Sequence, residues 1–182
     1  GAGKTTALGQ WRYARAMECT GTGAELGATA PTTVRLRAIK QAIMDMWPPS
    51  WWRWKERDST FTMANGVTIQ LVSTHQASAD AGSPIQGFNW PACASDELQD
   101  SLKVDGDIEA RGRDAPDGNF KRFATCTVKD SPSYRSWKGR SVKAARSTGE
   151  MLWSFIQKRG VDSPFVDHQY WEDLKQTMPA AE

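Results

Sequence analysis

The chain has 182 residues, 39% of them hydrophobic, and a formal net charge of +2. This length suffices for one domain with a buried core, and the nearly balanced charge neither requires nor excludes a nucleic-acid partner. Three widely spaced cysteines and two isolated histidines argue against a disulfide framework and a zinc site. Because no apolar run approaches the ~18 residues that span a bilayer, we expect a soluble, cytoplasmic protein without membrane contact.

The first part of the chain alternates helical and strand-like patterns. After the opening "GAGKTT", apolar residues at three- and four-residue steps predict a helix with one buried face, formed by Ala7, Leu8, Trp11, Ala14 and Met17. "AELGATAP" predicts a short strand, and Thr32 or Thr33 can cap the following helix, which ends at Pro48. "STFTMANGVTIQLVST" predicts a β-hairpin that turns at Asn65-Gly66.

The second part continues the alternation. "WPACAS" is a short apolar run that indicates a strand, and "LQDSLKVDGDIEAR" predicts a helix with a break near Gly106. "FKRFATCTV" and "EMLWSFIQ" are strand-like, and "VDHQYWEDLKQTM" predicts a final helix capped by Asp167. We therefore expect an α/β fold, with a mainly parallel sheet flanked by helices and one hairpin, over residues 1–160, followed by a helical segment over residues 161–182.

The opening hexamer has the residue types of a phosphate-binding loop. Glycines let the backbone aim N–H groups at phosphate oxygens, the lysine reaches the β- and γ-phosphates, and the next hydroxyl holds Mg²⁺. The candidate nucleotide-binding residues are Gly1, Ala2, Gly3, Lys4, Thr5 and Thr6. The full pattern G-x-x-x-x-G-K-[ST] would begin upstream of residue 1, so we expect the N-terminal strand to be missing. The alternative is a glycine-rich tail before an ordinary helix.

An acidic pair follows the run "WPACAS". In a P-loop ATPase one carboxylate at a strand end binds Mg²⁺ through water, and a second group deprotonates the attacking water. Asp96 fits the metal role and Glu97 fits the role of general base. Asp96 and Gln99 also form the D-x-x-Q pattern of a helix capping box, and the two interpretations are compatible.

The order of these segments resembles the ATPase domain of the large terminase subunit of tailed phages, the motor that packages DNA. "GAGKTT", "LGATAPTTVRLRA", "FTMANGVTIQLVSTHQASADAGSPIQGFNWPACASDELQD", "RFATCTVKDSP" and "SPFVDHQYWEDLKQTMPAAE" are similar to its successive segments. The resemblance implies a RecA-like P-loop fold of the ASCE class and ATP with Mg²⁺ as ligands. It also implies catalytic roles for Lys4 and Glu97, metal binding by Thr5 and Asp96, and a coupling motif at Thr125, Cys126 and Thr127. Within that motif we expect Thr127 to sense the γ-phosphate, although threonines also simply favour strands.

The same resemblance implies a function and its partners, and two other functions remain possible from the residues. The expected function is ATP-driven packaging of double-stranded DNA into the procapsid, by a homo-oligomeric ring that works with a portal protein and a small terminase subunit. A superfamily-2-like helicase or another P-loop DNA translocase would use the same acidic pair. A catalytically silent DNA-binding or assembly module is the alternative from another class. Many family members carry an arginine where this chain has Gln86, which makes Arg111, Arg113 or an arginine upstream of residue 1 candidates for the missing charge. For Arg111 and Arg113 a solvated helix face is the favoured interpretation.

Two further segments mix basic and aromatic residues. "WPPSWWRWKERD" could contact nucleic acid, but packing of its tryptophans against the core or a neighbouring subunit is the favoured interpretation. "YRSWKGRSVKAARS" is the better candidate for contacts to duplex DNA, although a solvated basic helix is equally consistent with it. Its candidate DNA contacts are Arg135, Lys138, Arg140, Lys143 and Arg146.

Overall fold

The computed structural model describes residues 3–75, 84–97, 102–112 and 120–126, together with Arg135. The strand expected in "EMLWSFIQ" and the segment 161–182 lie outside the described residues. The described elements are α1 (Lys4–Glu18), β1 (Glu25–Ala30), α2 (Thr33–Met46), a 3-10 turn (Pro49–Trp51), β2 (Trp52–Lys55), β3 (Thr60–Met63), β4 (Thr68–Ser73), β5 (Ala92–Ser95), α3 (Leu102–Ala110) and β6 (Lys121–Ala124). None of the helices in this part of the chain is long and apolar enough to cross a membrane.

The six described strands form one mixed sheet in the order β2-β3-β4-β1-β5-β6. Strands β4, β1, β5 and β6 run parallel to one another, whereas β3 pairs antiparallel with both β2 and β4. The expected α/β class and the hairpin around Asn65-Gly66 are thus confirmed. Because parallel strands end at one edge of a sheet, the residues after β1, β5 and β6 lie together there.

Two apolar clusters cover opposite faces of the sheet. The first lies under α1 and α2, where Leu26 and Ala28 of β1 meet Ile39 and Ile43 of α2. The second lies under α3 and includes Trp90 and Cys93 with Val104 and Ile108. Between these faces β1 has no room for a side chain at Gly27, because a Cβ there would lie only 2.3 Å from the ring of Trp90.

The tryptophan-rich segment packs against the core, as favoured from the sequence. Trp47 is buried in the first cluster, and Trp51, Trp52 and Trp54 pack against its edge. The sequence interpretation missed that part of this segment is a strand, β2, which pairs with β3 and packs its tryptophans on Phe61. The mixture of aromatic and basic residues is therefore explained by an edge strand with one packed and one exposed face.

Two helix predictions need correction. The expected buried face of α1 was wrong in part, because Ala14 and Met17 are exposed and the buried residues are Leu8, Gly9, Arg12 and Ala16. The helix is therefore rotated about its axis relative to the orientation that its apolar pattern suggests. The break expected near Gly106 was also wrong, since α3 continues from Leu102 to Ala110.

Candidate active site

The start of α1 has the geometry of an anion site. Gly3 adopts the left-handed conformation, with φ 71°, and precedes the helix without a side-chain cap. The first turn of α1 contains no acidic residue. No carboxylate of that turn therefore offsets its free backbone N–H groups and the positive end of the helix dipole. Gly1 and Ala2 lie outside the described residues. The described part of the hexamer therefore fits a phosphate group.

The acidic pair lies at the end of β5, next to β1. The backbone N–H of Asp96 donates to the carbonyl of Thr29 over 2.9 Å, which extends the parallel pairing by one residue. Asp96 is 6% exposed. Glu97 follows in the left-handed region, with φ 51°, which for a residue with a Cβ costs on the order of 1–3 kcal/mol. The chain thus turns sharply at Glu97, at the point where the parallel strands end.

This turn brings Glu97 to the opening loop. Lys4 Nζ donates to Glu97 Oε1 over 2.7 Å, across 93 residues of sequence. The Glu97 side chain is 11% exposed and that of Lys4 31% exposed, so the ion pair is partly shielded from water. The lysine and the carboxylate that the sequence assigned to catalysis therefore meet in one place.

The residue after β6 fixes the other carboxylate. Thr125 Oγ1 donates to Asp96 Oδ1 over 2.7 Å, and the Thr125 N–H donates to the Ser95 carbonyl over 2.9 Å. Within the expected coupling motif, Thr125 thus contacts the candidate metal ligand directly. Cys126 follows and is partly buried, whereas Thr127, the expected sensor, lies outside the described residues.

One cavity of about 410 Å³ joins these residues. Its walls are formed by the opening loop, the acidic pair and one residue of α2, namely Gly3, Lys4, Thr5, Thr6, Asp96, Glu97 and Arg35. Thr5 and Asp96 therefore face the same space and offer a hydroxyl and a carboxylate, the oxygen ligands that Mg²⁺ prefers. The sequence interpretation missed Arg35. No signal in the sequence marks it, because Arg35 has the pattern of an exposed residue in the first turn of a helix.

Two groups near the cavity have shifted pKa values. Burial lowers the pKa of Arg12 from its usual value to about 10, and the nearby Cys93 and Asp96 partly oppose the shift. Among the described residues, none provides a hydrogen-bond partner for the three guanidinium nitrogens of Arg12. Burial also raises the pKa of the Cys126 thiol, while Lys4 lowers it and Glu97 raises it further. Cys126 therefore lies within electrostatic reach of the Lys4–Glu97 pair.

Other candidates from the sequence do not line the cavity or lie outside the described residues. Arg111 closes the loop before β5 through its carbonyl, which accepts from the Trp90 N–H, and does not line the cavity; Arg113 is not described. Gln86 is exposed on that loop. Of the basic stretch only Arg135 is described, on the surface. Lys138, Arg140, Lys143 and Arg146 lie outside the described residues.

No protein-family model matches the sequence, and no curated protein is significantly similar to it. Solved structures are similar to it. The large terminase from a thermophilic bacteriophage matches with a TM-score of 0.71 and 18% identity over 99% of this chain and 43% of its own. The HK97 bacteriophage large terminase matches with a TM-score of 0.60 and 14% identity over 79% of this chain and 31% of its own. The chain has the fold of the phage large terminases.

The chain spans less than half the length of either structure. The terminase fold accounts for the mixed sheet of six strands flanked by helices, and it agrees with the P-loop class expected from the sequence. Within this terminase fold, the Lys4–Glu97 pair and the Thr125–Asp96 bond lie at the carboxyl edge of parallel strands, where α/β folds bind their ligands.

Proposed function

We propose that this chain is the ATPase motor domain of a phage large terminase, which hydrolyses ATP to drive double-stranded DNA into a procapsid. The observation that carries the proposal is the Lys4–Glu97 contact of 2.7 Å on the wall of the cavity, in a chain with the terminase fold. A lysine at a helix start and a carboxylate at a neighbouring strand end are the two charges that phosphoryl transfer to water needs.

The residues of the cavity have separate roles. The N–H groups after Gly3 and the Lys4 ammonium bind the β- and γ-phosphates. Thr5 and Asp96 would hold Mg²⁺, which neutralises phosphate charge when bound. Thr125 keeps one Asp96 oxygen in a fixed position through its hydrogen bond. These residues bind and orient the triphosphate, and Glu97 completes the reaction.

Glu97 acts as the general base. It accepts the proton of a water whose oxygen attacks the γ-phosphorus in line, while the bond from that phosphorus to the ADP oxygen breaks. Before nucleotide binds, Glu97 pairs with Lys4. The phosphates compete for Lys4, so binding of the triphosphate frees the Glu97 carboxylate for the water. The ion pair thus keeps the base occupied until the substrate arrives.

Steady-state ATP turnover by the full-length protein tests the proposal. Lys4→Ala and Glu97→Gln each remove a group worth about 10²–10⁴-fold in rate, so both should be nearly inactive. Glu97→Gln should still bind ATP, whereas Lys4→Ala should not. The matched controls are Lys40→Ala and Glu56→Gln, because Lys40 and Glu56 also pair at 2.7 Å, away from the cavity wall. Equal rates in the wild type and both site variants would overturn the assignment.

The DNA-binding part of the proposal rests on the basic stretch. The combined substitutions Arg135→Gln, Lys138→Gln and Arg140→Gln should weaken duplex binding uniformly across sequences, because interactions with phosphates carry no sequence information. The slope of log affinity against log salt should become less negative, by about 0.9 for each phosphate that is no longer neutralised. An unchanged slope would remove this stretch from the DNA-binding surface. The ring assembly, the portal protein and the small terminase subunit are proposed as partners together with the terminase function.

A further inference from the structure

Arg35 brings an unassigned positive charge to the cavity. It lies in the first turn of α2, whose preceding strand β1 pairs with β5, the strand that ends at the acidic pair. The backbone N–H of Arg35 is bonded to the cap Thr32. Among the described residues, the Arg35 side chain takes part in no ion pair and no hydrogen bond. Its guanidinium is thus available to a ligand in the cavity.

The position of Arg35 is electrostatically unfavourable for its own helix. The first turn of α2 is the positive end of the helix dipole, where a cation is destabilising. No acidic residue in that turn offsets the charge. An anion in the cavity would be attracted by both the guanidinium and the helix end. The next arginine, Arg37, does not line the cavity, and its charge acts on Glu56 instead.

The charges on the cavity wall point to the terminal phosphate. Lys4 lies at the α1 end of the cavity, and Asp96 and Glu97 lie at the strand ends. A γ-phosphate held by the opening loop would approach both carboxylates, and like charges at close range repel each other strongly where water is partly excluded. Arg35 lines the same cavity and can offset this repulsion with paired N–H donors, which suit phosphate oxygens. A diphosphate has no γ-phosphate to bring towards these carboxylates.

We propose that Arg35, acting within its own subunit, binds the terminal phosphate of the bound nucleotide and makes the site select a triphosphate over a diphosphate. This inference rests on the proposed ATPase function. It assigns to the chain a further phosphate-binding cation, beside Lys4, that comes from α2. Arg35 contacts the substrate directly, so its loss changes the discrimination between ATP and ADP more than it changes binding in general.

The test compares the affinities of the full-length protein for ATPγS and for ADP, both with Mg²⁺. Arg35→Ala should weaken ATPγS binding by about 10–100-fold, the usual worth of a charge-assisted hydrogen bond, and ADP binding by less than about 3-fold. Arg35→Lys should fall between, since an ammonium keeps the charge without the paired donors. The matched control Arg37→Ala should change neither affinity. The melting temperature of Arg35→Ala should be unchanged or slightly higher than that of the wild type, because the substitution removes a cation from the first turn of α2.

Other outcomes overturn the inference in distinguishable ways. Equal loss of ATPγS and ADP affinity would mean that Arg35 acts only through its general field. Unchanged nucleotide affinities with weaker duplex-DNA binding would mean that Arg35 contacts DNA. Failure of the wild type to bind either nucleotide would overturn the proposed function itself, and with it the role of Arg35.

Discussion

Strands β2, β3 and β4 are stabilised by aromatic packing, whereas β5 and β6 have buried charges beside them. On the first side, Trp52 and Trp54 pack on the buried Phe61, with ring centroids 5.6 and 4.6 Å apart. On the second side, Arg122 of β6 forms a buried ion pair with Asp105 of α3, and Asp96 follows β5. Charged side chains are rarely buried unless they are paired or functional.

The two regions also differ in how far their ion pairs are shielded from water. Lys40–Glu56 and Lys4–Glu97 are ion pairs of equal length, 2.7 Å, yet Glu56 is 80% exposed and Glu97 only 11%. An exposed pair is screened by water and contributes little, while a shielded carboxylate interacts strongly with any ligand that reaches it. Substitutions in the two regions should therefore differ in their effect on stability.

The largest expected effect comes from the buried ion pair between α3 and β6. Arg122→Met leaves Asp105, 1% exposed, without its paired charge and should destabilise the protein by about 3–5 kcal/mol. The double variant Arg122→Met with Asp105→Leu should recover most of this loss, because both charges are then gone. Denaturant unfolding gives both values. Lys40→Met, the control in the other half, should cost less than about 1 kcal/mol. A similar loss of unfolding free energy in Arg122→Met and Lys40→Met would contradict the difference between the buried and the exposed ion pair.

Replacement of Arg12 should change the free energy of unfolding in the opposite direction. Burial lowers the folded-state pKa of Arg12 to about 10, so burial of the charged form opposes folding by up to about 3 kcal/mol at neutral pH. Arg12→Met should therefore stabilise the protein by about 1–3 kcal/mol. As the pH rises above about 10, the folded chain loses this proton before the unfolded chain does, so wild-type stability increases with pH and the advantage of the variant shrinks. A lower melting temperature of the variant at about pH 7 would show that the Arg12 charge stabilises the fold.

Thr125→Val should have a smaller effect on stability and a specific effect on the site. The substitution keeps the shape and removes the hydrogen bond to Asp96, at a cost of about 1–2 kcal/mol. Because Asp96 then loses its fixed orientation, the Mg²⁺ concentration for half-maximal turnover should rise by about 10-fold. Thr60→Val, which removes a hydroxyl bonded to Gln70 in the other half, should leave the metal dependence unchanged. The same metal dependence in both variants would exclude a positioning role for Thr125.

The smallest expected effect concerns the reactivity of Cys126. Lys4 lowers the pKa of this thiol, so Lys4→Ala should raise the pKa and slow alkylation at about pH 8 by about 2–5-fold. The charges that act on Cys19 are Glu18 and Arg15, outside the site, so it should react at the same rate in both proteins. Mass spectrometry of the labelled peptides gives both rates. Faster labelling of Cys126 in the variant would mean that the Lys4 charge does not lower the pKa of this thiol.

The sequence predicted which residues of the candidate site lie together to the extent that they follow strands and glycines. Gly3, Lys4, Asp96 and Glu97 stand in motifs whose spacing places them at strand ends, so their convergence could be expected. The short strand "ACAS" was recognisable from its apolar run, although its residues are small, because the strand is buried on both faces. Elements that are defined by a local sequence pattern can thus be predicted from the sequence.

Features that depend on how elements dock could not be predicted from the sequence. Arg35 is an exposed helix residue by pattern, and only the register of β1 beside β5 places it on the cavity wall. Arg12 interrupts an apolar pattern, and its burial follows from the rotation of α1 on the sheet. The turn at Glu97 with positive φ is likewise imposed by the fold, since nothing in "SDEL" favours the left-handed region.

Protection of Cys126 by nucleotide tests most directly whether the cavity between the start of α1 and the end of β5 binds a nucleoside triphosphate. The measurement is the alkylation rate of Cys126 relative to Cys19 in the full-length protein, with and without saturating ATPγS and Mg²⁺. We predict that nucleotide slows Cys126, because the phosphates compete for Lys4, whose charge lowers the pKa of this thiol. Nucleotide should leave Cys19 unchanged and have no effect in Lys4→Ala. Equal labelling of Cys126 with and without the nucleotide, in a protein that binds it, would mean that the phosphates do not engage Lys4 and would contradict a nucleotide site in this cavity.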